Sequence, residues 1–317
     1  MIHRKICILG GGGFVGRRIA AQLLDPRYRV VIPTRHYYRH RDLTVLPTVR
    51  LVEGDIHDPG FLRRVFHGMD AVINLVGILN ESGRSATFER VHAELPGKVI
   101  DACHQSGVRR LAHMSALGAA PDAPSQYLRT KAAGEDAVHR AGSMDFHVTS
   151  FRPSVIFGPH DSFTNRFARL LKLAPVFPLA CPASRFQPVY VEDVARAFVT
   201  ALDLYGTFGQ RYSLCGPKVY SLREIVDYLA RVMRLDRTVI GLGDALSHAQ
   251  AFALNLFPGK PFSLDNYRSL KVDSVCREGM SPIFGIVPTP MEDVVPSWLA
   301  PGANVRASRT QVRVAAG

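Results

Sequence analysis

Two hydrophobic periods alternate along the first half of this chain. Short, largely apolar runs lie at Ile6–Leu9, Arg29–Pro33, Leu51–Val52, Asp70–Gly77, Leu111–Ser115 and Val148–Pro153. Between them, apolar residues return at three- and four-residue spacing. The sets are Ile19, Ala20, Leu23 and Leu24, then Phe61, Leu62, Val65 and Phe66, then Val91, Leu95, Val99 and Ile100 within a helix from about Phe88 to Ser106. Runs without polar alternation are strands buried on both faces, and the sets between them are one-sided helices. Strand and helix in turn predict an α/β fold, a doubly wound parallel sheet with helices on both faces.

The later chain is less regular. An amphipathic helix is predicted from Phe163 to Leu173, and Pro175, Pro178 and Pro182 then predict an irregular loop. Asp193 is read as the cap of a helix carrying Val194, Phe198, Val199 and Leu202. Ser221–Leu222–Arg223–Glu224 is a capping box opening a helix with Ile225, Val226, Leu229 and Val232 inward. From Asp244 to Phe257 a helix carries Leu246, Ala249, Phe252, Ala253 and Leu256. Core packing is the preferred reading of that face; a greasy wall for an isoprenoid substrate, or for a membrane partner, is the sharper one. Residues 304–317 (Arg306, Arg309, Arg313) are expected to form a mobile basic tail.

The most specific local signal sits where the first strand ends. Gly10–Gly11–Gly12–Gly13 runs into Phe14–Val15–Gly16, which fits Gly-x-x-Gly-x-x-Gly at Gly10, Gly13 and Gly16. Glycine takes positive φ without steric cost, and its missing Cβ lets backbone approach a pyrophosphate. The helix beginning at Phe14 and Val15 then offers unpaired N–H groups to that anion. Strand before and helix after favour dinucleotide binding over a turn that is only a turn. At the end of the second strand, an acid would hold a ribose 2′-hydroxyl and an arginine a 2′-phosphate. Here Arg35 and His36 come first, with no acid until Asp42. This predicts NADP(H) ahead of NAD(H), against the plainer reading of a solvated basic loop. Asp55 and Ile56 are placed at the adenine, because Asp58–Pro59 serves better as the next helix start. Val76 and Gly77 end the fourth strand, where ligands sit in parallel sheets.

Composition narrows the rest. With 317 residues and 47% hydrophobic content, the chain can hold one large domain, or a main domain with a smaller appendage. No apolar run is long enough to span a bilayer, and the basic start before Ile6 lacks the long apolar run of a signal peptide. The expected location is cytoplasmic, with a peripheral place on the inner membrane face as the second reading. Five scattered cysteines and twelve dispersed histidines show no metal-ligand spacing, so no metal is expected and the thiols are expected to be free. The net charge of +12 suits a phosphate-rich ligand or an anionic membrane face. Nucleic acid is not expected, since no basic stripe interleaves with aromatics.

Tyr127 and Lys131 lie one helical turn apart after the fifth strand. An ammonium beside a phenol favours the phenolate, and the pair can then move a proton at a carbonyl or hydroxyl during hydride transfer. Taken with Gly10/Gly13/Gly16, Asp55–Ile56, Arg152–Pro153, Phe157–Gly158–Pro159 and Pro188–Val189–Tyr190–Val191–Glu192–Asp193–Val194–Ala195, the chain resembles the extended short-chain dehydrogenase/reductase superfamily. His113–Met114–Ser115–Ala116–Leu117–Gly118–Ala119 and Phe186–Gln187–Pro188–Val189 further resemble its atypical subgroup containing the complex I alpha-subcomplex subunit 9.

The resemblance implies a Rossmann domain over 1–160, with 186–205 returning to it, and a small C-terminal substrate or partner domain over 161–185 and 206–303. It implies that Val155 passes the nicotinamide. Active members carry a hydroxyl just past the fifth strand. The pair Ser115–Ala116 leaves its register open, and the sequence leans to Ala116 in that place, although Ser115 is the residue able to act. Two functions follow: an oxidoreductase using Tyr127, Lys131 and Ser115 on a carbonyl, hydroxyl or quinone-related substrate, or a non-catalytic NADPH-binding subunit or assembly factor of a respiratory complex.

Overall fold

The structure, a computed structural model, describes residues 4–257 and 260–303; the predicted basic tail lies outside them. The described chain divides into two compact units, residues 4–153, 192–214 and 281–286 in one, residues 154–191, 215–257, 260–280 and 287–303 in the other.

The first unit is built on a seven-stranded parallel sheet. Its strands are β1 (Arg4–Leu9), β2 (Tyr28–Thr34), β3 (Val49–Glu53), β4 (Ala71–Asn74), β5 (Arg110–Met114), β6 (His147–Pro153) and the strand Gln210–Leu214. From one edge the order is Gln210–Leu214, β6, β5, β4, β1, β2, β3. The chain moves outward from β1 through β2 to β3, then returns to the other side of β1 at β4. That reversal is the switch point at which open α/β sheets bind ligands, beyond the carboxyl ends of the strands.

The two-residue alternation of β1 decides which layer each side chain joins. Cys7 and Leu9 pack with Phe61, Leu62, Val72, Leu95, Val99, Leu111, Val138 and Val148. Ile6 and Ile8 project to the opposite face and are equally buried, which is why the strand reads as continuously apolar. The helices of the first layer are α2 (Pro59–Phe66), α3 (Leu95–Ser106) and α4 (Gln126–Ala141). Asp58 caps α2 by accepting the Gly60 N–H at 2.9 Å.

The predicted helix from Phe88 to Ser106 is one rod in two geometries. Glu89–Glu94 is π-helical, and α3 follows. Pro96 has no N–H to return to the carbonyl four residues earlier, that of His92, so the regular ladder breaks here. Such π-turns recur at functional sites. Asp193 also departs from its sequence expectation. The helix Val191–Asp203 begins two residues before it, so Asp193 lies inside the first turn and is not the cap.

Among its described residues the second unit has three two-stranded sheets. Ile156–Phe157 pairs with Val189–Tyr190, Arg185–Phe186 with Tyr220–Ser221, and Val176–Leu179 with Thr238–Gly241. Its core joins Phe157, Leu171, Phe186, Tyr220, Ile225, Leu229 and Trp298. The capping box at Ser221 and Glu224 is present on the helix Leu222–Val232.

Three expectations fail in this unit. The proline-marked loop contains the strand Val176–Leu179, with Pro178 tolerated because a two-stranded sheet is all edge. Cys215 and Cys276 form a disulfide across 61 residues, where free thiols were expected. The helix Asp244–Asn255 turns its apolar residues outward, and only Ser247 and Ala251 are buried.

Candidate functional site

The glycine turn has the shape its sequence implies. Gly10 takes φ +77°, and α1 (Phe14–Gln22) starts from Gly13, which has no side chain to cap the first turn. The N–H groups of Phe14, Val15 and Gly16 therefore face the turn with no side-chain acceptor of their own. A Cβ on Gly16 would lie 2.5 Å from the Gly11 Cα and 2.6 Å from the Gly10 oxygen, so only glycine lets the helix approach the turn this closely. These features fit a diphosphate: a bare backbone cradle, a helix start, and a position at the switch point.

A brace that sequence reasoning missed holds the turn. Arg17 Nε donates to the Gly12 oxygen at 2.9 Å, and its guanidinium pairs with Asp42 and lies 3.2 Å from His40 Nδ1. A Cβ on Gly12 would meet the His40 ring at 2.8 Å, so the segment after β2 closes over the turn. Asp42, the first acid after β2, is thus already engaged. Arg35 and His36 are exposed at the end of β2. Burial and the nearby Arg90 hold His57 below the ordinary imidazole value, with smaller contributions from Lys98 and Arg35. Arg90 and Lys98, two residues the sequence reading did not single out, thus act on His57 along with Arg35, and Lys98 Nζ donates to the His57 oxygen at 3.2 Å.

Asp55 is exposed and accepts the His57 N–H at 2.9 Å, while Ile56 packs partly against the core. Val76 also packs on that core, and its N–H donates to Asn74 Oδ1. A Cβ on Gly10 would touch Leu75 at 3.3 Å and the Val76 nitrogen at 3.4 Å, so the turn and the end of β4 lie side by side.

The chemical residues gather around that same end. Lys131 is buried on α4 and its Nζ donates to the Met114 oxygen, the last carbonyl of β5, at 2.6 Å. A Cβ on Gly77 would lie 3.7 Å from this Nζ and 3.6 Å from His92 Nε2. His92, on the π-turn, accepts the Ile78 N–H at Nε2 (3.0 Å), which leaves its Nδ1–H to donate to Thr130 Oγ1 at 3.1 Å. Its ring stacks on Phe88 and meets Tyr127 edge-on at 5.4 Å. Burial, reinforced by the Lys131 charge, lowers His92 to about 3. His92 is thus a neutral strut between the π-turn, α4 and the loop after β4.

Two findings revise the chemistry expected from Tyr127-x-x-x-Lys131. Burial raises the Tyr127 phenol to about 12, opposite to the direction expected from a neighbouring ammonium. Burial also lowers Lys131 to about 8, against the attraction of Glu135 one turn on. Glu135 is fully buried and paired with Arg152 at 2.9 Å and Arg211 at 2.8 Å, a structural cluster that the i+4 spacing from Lys131 could have flagged.

At Ser115–Ala116 the backbone carries the sheet pattern one residue beyond β5. Ser115 N–H donates to the Phe151 oxygen at 2.7 Å, continuing the ladder between β5 and β6. Continued alternation would put Ser115 on the face of Leu111 and His113, and Leu111 belongs to the same core cluster as Val138 of α4. Ala116 is buried as well, beside Ser115. The Ser115 Oγ is buried without a hydrogen-bond partner. Val155 lies in the second unit and packs partly against that unit's core. No cluster among the described residues has the composition of a metal site. No helix among them is long and apolar enough to cross a membrane.

Residues 6–215 match the NAD dependent epimerase/dehydratase family. The chain is 31% identical over 276 residues to NADH dehydrogenase [ubiquinone] 1 alpha subcomplex subunit 9, mitochondrial, of Arabidopsis thaliana, covering 84% of this chain and 68% of the relative. It is 31% identical to a ceramide reductase of Caulobacter vibrioides, covering 61% of this chain and 59% of that protein. The chain thus spans roughly three-fifths to two-thirds of the length of such relatives. An NADPH-dependent quinone oxidoreductase of Escherichia coli superposes with TM-score 0.71 at 17% identity, over 93% of this chain and 99% of the other, which shows a shared fold. With the glycine cradle at its switch point and the match over most of its length, this chain belongs to the NAD dependent epimerase/dehydratase family, as a nicotinamide-dinucleotide-binding protein of the extended short-chain dehydrogenase/reductase type.

Proposed function

We propose that this chain binds NADPH and reduces a carbonyl or quinone group of an apolar substrate. The observation that carries the reading is the placement of Lys131. Its Nζ is fixed on the Met114 oxygen beside Gly77, at the carboxyl ends of β4 and β5, where a sheet of this order presents its ligand. The backbone N–H groups of Phe14, Val15 and Gly16 would hold the diphosphate, and Arg35, exposed at the end of β2, would hold a 2′-phosphate. Asp42 cannot take the place of a ribose-binding acid while it pairs with Arg17. The cofactor, when bound, supplies the hydride.

The chain's own residues supply the proton. A phenol near 12 is protonated at neutral pH, so Tyr127 is set to donate to a carbonyl oxygen, which suits the reductive direction. The Tyr127 phenolate left behind is offset by the Lys131 ammonium and reprotonated from solvent. Ser115 Oγ, buried and unpartnered, donates a hydrogen bond to the same oxygen. The reductase relative supports the reaction class.

A second reading has its own observation. The ammonium of Lys131 is already committed to the Met114 carbonyl, and the phenol is raised, not activated. A cofactor held there without turnover would stiffen the first unit, and the plant relative is a respiratory-chain subunit.

The deciding experiment measures NADPH oxidation against a panel of long-chain ketones and short-chain ubiquinone analogues. Tyr127→Phe is expected to lower turnover at least about a hundredfold with dinucleotide affinity unchanged. NADPH is expected to raise the melting temperature more than NADH, and Arg35→Ser to narrow that gap by about 10- to 100-fold in affinity. Turnover unchanged in Tyr127→Phe refutes the catalytic assignment. No turnover on any substrate, with NADPH still stabilising and the chain co-purifying with respiratory-chain subunits, selects the second reading.

A further inference from the structure

The helix Asp244–Asn255 is amphipathic in the wrong direction for a core helix. Leu246, Phe252 and Leu256 are 62%, 56% and 72% exposed, and Phe257 just past its end is 59% exposed. Their spacing places them, with Ala249 and Ala253, along one stripe of the helix. The opposite side holds Ser247 and Ala251, and Cys181 N–H donates to Ser247 Oγ at 3.0 Å. Gln250 Nε2 donates to the Pro178 oxygen at 3.2 Å, tying the helix across the strand Val176–Leu179. Leu173 and Val176 before and within that strand, and Ile240 on its partner, are also exposed apolar residues of this unit.

Two stretches of this unit carry basic and no acidic residues. No Asp or Glu occurs from 162 to 191 or from 245 to 264, whereas Arg166, Arg169, Lys172, Arg185 and Lys260 do. Arg166 reaches across to the Pro261 carbonyl, which brings the two acid-free stretches together. Asp244, at the helix start, is neutralised by Lys271 and accepts from Tyr267.

We infer that this face docks on an anionic lipid bilayer, with the helix Asp244–Asn255 lying in the interfacial plane. Leucine and phenylalanine enter the acyl boundary, and the flanking cations meet lipid phosphates. Charge favours this occupant over a second copy of the chain, because self-pairing would bring the same cations against one another. The inference does not rest on the catalytic reading, since none of these residues belongs to the glycine turn or to the Tyr127–Lys131 group.

The test is co-sedimentation of the full chain with vesicles of phosphatidylcholine alone, or with one-third phosphatidylglycerol. Binding to the anionic vesicles, weakened by salt, is expected. The triple variant Leu246→Ser, Phe252→Ser, Leu256→Ser is expected to lose about a hundredfold in partitioning while melting at the parental temperature, since these side chains are exposed. Arg169→Glu with Lys172→Glu is expected to lose about tenfold or more on anionic vesicles alone. Absence of binding to either vesicle overturns the inference, as does binding that the triple variant leaves intact. Self-association by light scattering that the triple variant abolishes also overturns it, because a second copy is then the occupant.

Discussion

Gly97 and Gly134 both sit inside helices, yet the same substitution should move stability in opposite directions. Alanine is better than glycine in a helix by about 0.8–1.0 kcal/mol, so propensity alone predicts a gain at both. A Cβ on Gly97 meets nothing within 4 Å, and that gain should be realised. A Cβ on Gly134 would lie 1.9 Å from the His92 oxygen and 3.0 Å from Pro96 Cγ. Ordinary contact begins at 3.4 Å, so backbone must yield by more than an ångström, and neither α4 nor the π-turn is free to do so. Overpacking of this kind costs about 1–3 kcal/mol, and a clash with main chain belongs at the upper end. The two variants should therefore differ by about 3 kcal/mol, with Gly97→Ala above the parent and Gly134→Ala below it. At roughly 2–4 °C per kcal/mol, the melting temperatures separate by about 6–12 °C. Urea titration with unchanged slope m confirms that the difference is one of stability. Gly134→Ala should also impair turnover, because α4 carries Tyr127 and Lys131. A Gly134→Ala protein as stable as Gly97→Ala refutes the claim that α4 packs on the His92 carbonyl.

Two pH dependences follow from the same neighbourhood. His92 is neutral in the folded chain down to about 3, against 6.5 for the free imidazole, so the unfolded chain binds the extra proton between those values. Stability is thus lost as pH falls below about 6.5, by about 2 kcal/mol at pH 5 from this residue. His92→Gln should flatten the slope of unfolding free energy against pH, and an unaltered slope contradicts the assignment. Lys131 loses its proton at about 8, so the proposed reduction should decline as pH rises through that value. A pH–rate profile level through about pH 9 removes the ammonium from the mechanism.

Features set by neighbours along the chain are legible in the residues alone. The glycine turn, the Asp58 start of α2, the capping box at Ser221 and the apolar runs of β1, β4 and β5 depend on conformations a few residues long. Together they imply the α/β class and the parallel sheet. What the residues alone do not reveal depends on positions far apart in the chain. The Arg17–Asp42–His40 brace joins two segments separated by a strand and its loop. The Cys215–Cys276 disulfide spans 61 residues in a scatter of five cysteines that carries no spacing signal. The helix Asp244–Asn255 shows the limit most clearly: its periodicity locates the apolar stripe correctly and says nothing about whether core or solvent lies against it.

Ser115 illustrates how one backbone bond converts such ambiguity into chemistry. In sequence, Ser115 and Ala116 are interchangeable candidates, because a one-residue slip exchanges faces. The Ser115 N–H on the Phe151 carbonyl carries the ladder one residue past β5, continued alternation would put Ser115 on the face of Leu111, and burial leaves its hydroxyl without a partner. A buried hydroxyl without a partner costs about 1–3 kcal/mol, a cost that a core position would avoid with alanine. If that cost has no function, Ser115→Ala should stabilise the chain and leave cofactor-dependent turnover alone. If the hydroxyl meets substrate oxygen, the same variant stabilises the free protein while lowering turnover, a combination that packing alone does not produce.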